Sequence, residues 1–207
     1  ANYRLFRPYM TAHPGKKLLF MGSEFGQWQE WREQHSLDWH LLEQPEHRGL
    51  LDLNRELNRL YLENPVLHAS DTDPAGFGWI DLHNGDQSIF AFLRRSPRHP
   101  ERPPLLCVFN CTPVPRDAYW LGAPEVGTYR KVFDSDAGRF GGSGYNRQDF
   151  LVAQTAPSQG YPCHVRLDLP PLARSRRQAQ NSSYDDGRLA STRLPIRSSS
   201  SRKRGSQ

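Results

Sequence analysis

The sequence predicts an α/β segment joined to an all-β one: helix, buried strand, loop and helix over residues 1–70, an antiparallel β-sandwich over 71–173, and a disordered basic tail over 174–207. Three observations predict it. A short unbroken apolar run, Leu18-Leu19-Phe20-Met21, closed by Gly22, lies between two segments with helical spacing. Past Asp71, short β-rich runs alternate with turn residues, and no helical period intervenes. From Arg174 the residues are mostly Arg, Ser and Gln, too polar to offset the entropy of ordering them.

The opening residues Tyr3, Leu5, Phe6, Tyr9 and Met10 have roughly helical spacing, with a kink expected at Pro8 and a stop at His13-Pro14-Gly15. The run 18–21 reads as a strand buried on both faces. From Ser23 to Leu42 the sequence is polar and aromatic without a period, with Trp28, Trp31 and Trp39 set among charged residues. That is a long loop whose aromatics suit it for binding. A second helix opens at Pro45-Glu46-His47, carries the stripe Leu50, Leu53, Leu57, Leu60 and Tyr61, and stops near Asn64-Pro65.

Strands are predicted at 77–82, 88–93, 105–110, 119–121, 129–133 and 164–169, punctuated by Asn84-Gly85-Asp86, Pro97 to Pro104, Gly122 to Pro124 and Gly141 to Gly144. Trp79 reads as sandwich core. Gly141 to Gly144 lacks the strand-to-helix setting of a phosphate loop and reads as a turn.

Composition narrows the function classes. A net charge of +5 ordinarily raises the prior for nucleic acid, but nine of the 27 Lys/Arg and only two of the 22 Asp/Glu fall from Arg174 onward. The body before it is slightly acidic, so no specific nucleic-acid partner is expected. Neither a membrane-length apolar stretch nor a leader-like N-terminus is present, so a cytoplasmic protein without a membrane partner is expected. Cys107, Cys111 and Cys163 read as reduced thiols, and none of the eight His shows ligand spacing. No metal or cofactor is expected.

The most specific stretch is Lys16-Lys17-Leu18-Leu19-Phe20-Met21-Gly22-Ser23-Glu24-Phe25-Gly26-Gln27, then Glu30-Trp31, then Leu37-Asp38-Trp39-His40-Leu41-Leu42-Glu43. Further motifs follow in order: Gly78-Trp79-Ile80, Phe109-Asn110-Cys111-Thr112-Pro113-Val114-Pro115, Gly141-Gly142-Ser143-Gly144 and Leu169-Pro170-Pro171-Leu172. Together they resemble the C-terminal part of bacterial 1,4-α-glucan (glycogen) branching enzymes, of the α-amylase superfamily, across residues 1–173.

The resemblance implies that Leu18 to Met21 is the eighth strand of a (β/α)8 barrel, that Ser23 to Trp39 is the loop after it on the active-site face, and that Pro45 to Pro65 is the eighth helix. It implies an α-glucan partner and a glycosyltransferase reaction. A carboxylate nucleophile forms a glucosyl intermediate, which the 6-hydroxyl of another glucan captures to make an α-1,6 branch. The nucleophile, the acid/base and a supporting Asp sit after strands four, five and seven in such enzymes. The chain starts in the helix after strand seven by this alignment, so no catalytic residue is assigned and the chain alone is expected to be inactive. The runner-up reading is a non-catalytic α-glucan-binding module.

Substrate contacts are expected from Glu24, Trp28, Trp31 and Asp38. Tryptophan faces stack on sugar rings, and carboxylates accept hydrogen bonds from sugar hydroxyls. Glu24 reads equally as an anchor for loop amides, and Trp39, between Leu37 and Leu41, reads as packed on the following helix. The resemblance also implies one more apolar strand after Leu172; the Arg/Ser-rich residues there read as a change of reading frame.

Overall fold

The computed structural model describes residues 1–31 and 33–180. Helix α1 (Asn2–Ala12) carries Pro8 within it, and helix α2 (Pro45–Glu63) begins with proline at its first position, where the missing N–H is not needed. Eight strands follow: β1 (Phe77–Asn84), β2 (Ile89–Arg94), β3 (Leu105–Asn110), β4 (Arg116–Ala123), β5 (Thr128–Asp134), β6 (Phe150–Val152), β7 (Cys163–Leu169) and β8 (Ala173–Gln180). A six-stranded sheet runs in the order β1-β2-β3-β8-β5-β6, and β4 pairs with β7 in a second sheet; every pairing is antiparallel.

The period of two sorts the side chains of these strands into layers. Ile80, Ala91, Leu93, Leu106, Val108 and Tyr129 meet Leu121, Val165, Leu167 and Leu169 from the small sheet in one buried core. The alternate residues of the large sheet, Phe92, Leu105, Cys107 and Phe109, join Ala12 of α1 and Val66 and Leu67 beyond α2 in a second core. Strand β3 is therefore buried on both faces, which is why all six of its residues are inaccessible. Tyr9 of α1 lies edge-on to Phe90 and Phe109, with ring centroids 5.6 and 5.5 Å away.

A third cluster packs Leu53 and Leu57 of α2 on Phe133 and Phe140. Each leucine is fully buried, a contribution of about 1.5–3 kcal/mol apiece before entropy. Gly49 permits this approach, because a Cβ there would lie 3.1 Å from the carbonyl carbon of Phe140. An alanine would otherwise favour the helix by about 1 kcal/mol.

Several expectations are corrected. Residues 18–21 form no β-ladder. Among the described residues no strand lies beside them to pair, so the run is irregular chain that enters a turn at Met21, with Leu18 73% exposed. Trp79 is 40% exposed rather than core. Its ladder partner is Phe92, which puts both on the helix-facing side of the sheet, while Ile80 takes the interior.

The disordered tail expected from Arg174 instead begins as β8, whose backbone pairs with β3 from Leu105↔Gln178 to Asn110↔Ala173 and with β5 on its other edge. Both neighbours present unpaired backbone groups to this position, and a ladder satisfies them whatever side chains the strand carries. Residues 181–207 lie outside the described residues.

Candidate functional site

The loop after Met21 is built on two tight turns and one buried amide. Gly22 and Gly26 both adopt left-handed φ, at 79° and 72°, and the N–H of Gln27 closes onto the Gly22 carbonyl at 2.9 Å. A Cβ on Gly22 would fall 2.6 Å from that of Gln27, so the turn requires glycine there.

Asn54 of α2, 2% exposed, donates from Nδ2 to the Glu24 carbonyl at 2.7 Å and to the Tyr3 hydroxyl at 2.9 Å; its Oδ1 accepts from Arg7 Nε at 2.8 Å. One side chain thus ties the loop to both helices. The Tyr3 hydroxyl donates in turn to the Ser23 carbonyl. Burial raises the Tyr3 phenol above its ordinary value and lowers the Arg7 guanidinium below its own, as expected of charged forms denied water. Deeper in the loop, His47 Nδ1 donates to the Phe25 carbonyl at 2.8 Å, and Phe25 is fully buried.

These anchors hold an open cleft of about 450 Å³ lined by Phe20, Met21, Ser23, Gln27, Gln29, Glu30 and Trp31. Trp31 is 70% exposed, with its ring tilted over Phe20 at 5.2 Å. Its φ of 47° is left-handed, a costly conformation for a bulky residue. Gln27 shapes the floor: its Oε1 accepts the Asp38 N–H at 2.9 Å, and its Nε2 donates to the Gln29 carbonyl at 2.7 Å.

Of the four residues expected to contact substrate, Trp31 alone lines the cleft. Trp28 lies edge-on against His47 at 5.2 Å with 71% of its surface exposed, Glu24 is fixed through its backbone, and Asp38 precedes the short 3-10 turn Trp39–Glu43. Trp39 is 52% exposed, with its ring tilted against Phe25 at 5.1 Å, while Leu41 takes the buried position nearby.

Gln27 and Glu30 line the cleft and Asn54 braces the loop beside it; the first two stand in the sequence only as motif residues, and Asn54 is not singled out there. Asn54 leaves a signal in the sequence all the same: it follows Leu50 by four and precedes Leu57 by three, so a polar residue sits on the apolar stripe of α2. Among the described residues no group of three or more His, Cys, Asp or Glu could hold a metal ion, and no helix is long and apolar enough to cross a membrane. The cleft offers an aromatic face, a carboxylate and amides, groups whose chemistry suits stacking on a flat ring face and hydrogen bonding to hydroxyls.

Residues 79–175 match the family described as "Alpha amylase, C-terminal all-beta domain", so the two-sheet unit belongs to that class. Beyond the sandwich, the chain is 47% identical over 172 residues to the 1,4-alpha-glucan branching enzyme GlgB of Marinobacter nauticus, and 49% identical over 173 residues to that of Hydrogenovibrio crunogenus. These alignments cover 83% and 84% of this chain but 27% and 23% of the relatives, so it spans about a quarter of their length. Over most of its length the chain is similar to the C-terminal part of branching enzymes. Among solved structures, Ttha1563 from Thermus thermophilus superposes with a TM-score of 0.57 at 19% identity, over 86% of this chain and 31% of that one. At that identity the likeness concerns the fold.

Proposed function

We propose that this chain is the C-terminal portion of a 1,4-α-glucan branching enzyme, and that residues 1–70 are the last unit of a (β/α)8 barrel whose remaining strands carry the catalytic carboxylates. The observation that carries the reading is the identity of 47–49% to branching enzymes over 172–173 residues, far more than the sandwich alone. In the complete enzyme, a retaining displacement on an α-1,4 linkage would deliver a glucan segment to a 6-hydroxyl. The role of this portion is then to hold glucan in the Trp31 cleft and to brace the barrel with the sandwich. The exposed Leu18 and Phe20 support the barrel assignment, since an inner strand needs neighbours on both edges. Three free cysteines, two of them buried, support a reducing, cytoplasmic setting.

A second reading, a glucan-binding module without catalysis, is favoured by one observation: the sandwich closes its own core between its two sheets. Two assays on the purified chain separate the outcomes. Retardation in native gels containing amylopectin, with no fall in the iodine colour of amylose, is expected. Iodine colour lost at a rate typical of an intact enzyme would overturn the dependence on further strands, and unchanged mobility would overturn glucan contact.

A further inference from the structure

The outer face of the β4–β7 sheet carries an aromatic arrangement that the loop site does not use. Trp120 of β4 is 54% exposed, and its indole lies on the imidazole of His164 at 4.4 Å between centroids with only 5° between the planes. His164 is 1% exposed, and its Nδ1 donates to the Ala156 carbonyl at 3.0 Å. The segment that supplies this carbonyl is fastened to the same strand, because the Gln154 N–H and the His164 N–H each bond the other's carbonyl, at 2.8 and 3.1 Å. One face of the indole is therefore covered by a buried, hydrogen-bonded ring, which leaves the opposite face open.

Single exposed aromatics are ordinary on protein surfaces. Trp120 differs in being held rigid, since a parallel stack on a buried, hydrogen-bonded ring fixes its side-chain torsions before any ligand arrives. A preorganised flat face loses little entropy on binding. Its setting is polar. Arg166 is its direct ladder partner and Gln154 is the partner of His164; both are exposed, so two polar residues stand beside the stack on the same face of the sheet. An apolar plate with polar residues beside it matches a pyranose ring, whose axial hydrogens form an apolar face and whose hydroxyls point outward at its edge.

We infer that Trp120, backed by His164 and flanked by Arg166 and Gln154, is a second α-glucan contact on the sandwich, separate from the Trp31 cleft. The inference rests on the glucan-binding reading above and adds a location to it. Two contacts on one body raise avidity for a long polymer more than for a short oligosaccharide, because the second engagement is intramolecular.

The test is affinity electrophoresis of the full chain in gels of graded amylopectin concentration. Trp120→Leu keeps apolar bulk over His164 but removes the ring, and Trp120→Phe keeps a flat ring. Trp120→Leu is expected to weaken amylopectin retention by about tenfold, the size of one lost aromatic stack. Trp120→Phe is expected to retain most of it, and both variants are expected to keep the thermal unfolding midpoint of the unaltered chain. Trp28→Ala/Trp31→Ala is expected to leave residual retention that disappears on adding Trp120→Leu. Retention of Trp120→Leu equal to that of the unaltered chain would overturn this site while leaving the cleft standing. No retention of the unaltered chain would overturn the glucan reading beneath both.

Discussion

Arg94, fully buried on β2, donates from Nη2 to Asp71 Oδ1 at 2.6 Å, across the junction between the helical segment and the sandwich. The same guanidinium donates from Nη1 to the Ala12 carbonyl at 2.6 Å, so one cation ties the end of α1 and the chain beyond α2 to the large sheet. Its energetic role follows from burial: a charge without water needs its partners, and removing one leaves the other uncompensated. Asp71→Asn is expected to lower stability by about 3 kcal/mol, the low end for a buried pair, because the Asp71 side chain retains 17% exposure. The double variant Asp71→Asn/Arg94→Met is expected to lose less than Asp71→Asn alone. Urea unfolding of the three proteins checks this, and an equal or greater loss in the double variant would refute it.

Alkaline pH tests the packing of the two sheets. Tyr119 of β4 donates to Asp81 Oδ2, and burial, followed by that carboxylate, pushes its phenol up to about 12; burial, helped by the charges of Glu125 and Cys163 against a hydrogen bond to the Glu125 carbonyl, pushes Tyr129 of β5 up to about 12. Because the folded values exceed the ordinary value near 10, the neutral phenols stabilise the fold fully below pH 10, and that stability is lost as pH rises towards 12. Urea midpoints are expected to hold between pH 8 and about 10 and to fall above it. Tyr119→Phe is expected to show a shallower alkaline fall, and an unchanged slope would count against the assignment.

The Gly141–Gly144 turn folds around Asp136, whose carboxylate accepts the Ser143 N–H at 2.9 Å and the Ser143 hydroxyl. A Cβ at Gly142 would run into the backbone carbonyl of Asp136, which is 3% exposed and has no room to retreat. Gly142→Ala is expected to cost about 1–3 kcal/mol, the range for overpacking, whereas Gly138→Ala meets open space and should cost far less. Thermal melts of the pair measure the contrast.

At the cleft, Trp31→Ala is expected to weaken amylopectin retention more than Trp39→Ala, because Trp31 lines the cleft and Trp39 rests on Phe25 outside it. Equal effects from the two would mean that the sugar follows the whole loop rather than the cleft.

Legibility in the sequence tracks how local the cause is. The leucine stripe of α2 and the six-residue run of β3 announce themselves, since each needs only its own period and its own apolarity. The run 18–21 misleads for the complementary reason: apolarity reports a demand for burial, whereas a strand also needs a neighbour. Strand β8 is hidden in its own Arg- and Ser-rich residues, which do not advertise a strand; the backbone edges of β3 and β5 call for it, and only the family resemblance implies a strand after Leu172. At the loop, the tryptophans are legible as a group, but which of them lines a cleft depends on Asn54 and His47, both distant in sequence, holding the turns at Gly22 and Gly26.

The place of β8 in the sheet sets an order for assembly. It joins β3 to β5, yet it follows every other described strand in the chain, so the β1-β2-β3 meander and the β5-β6 pair have no shared hydrogen bonds until residues 173–180 arrive. Contacts of such long sequence separation close slowly. A nascent chain would carry two open strand edges during that wait, which is the state most exposed to pairing with another chain. For this sandwich, the hazardous moment lies in the interval before its latest strand docks, and refolding yield should depend on protein concentration more steeply than the finished fold suggests.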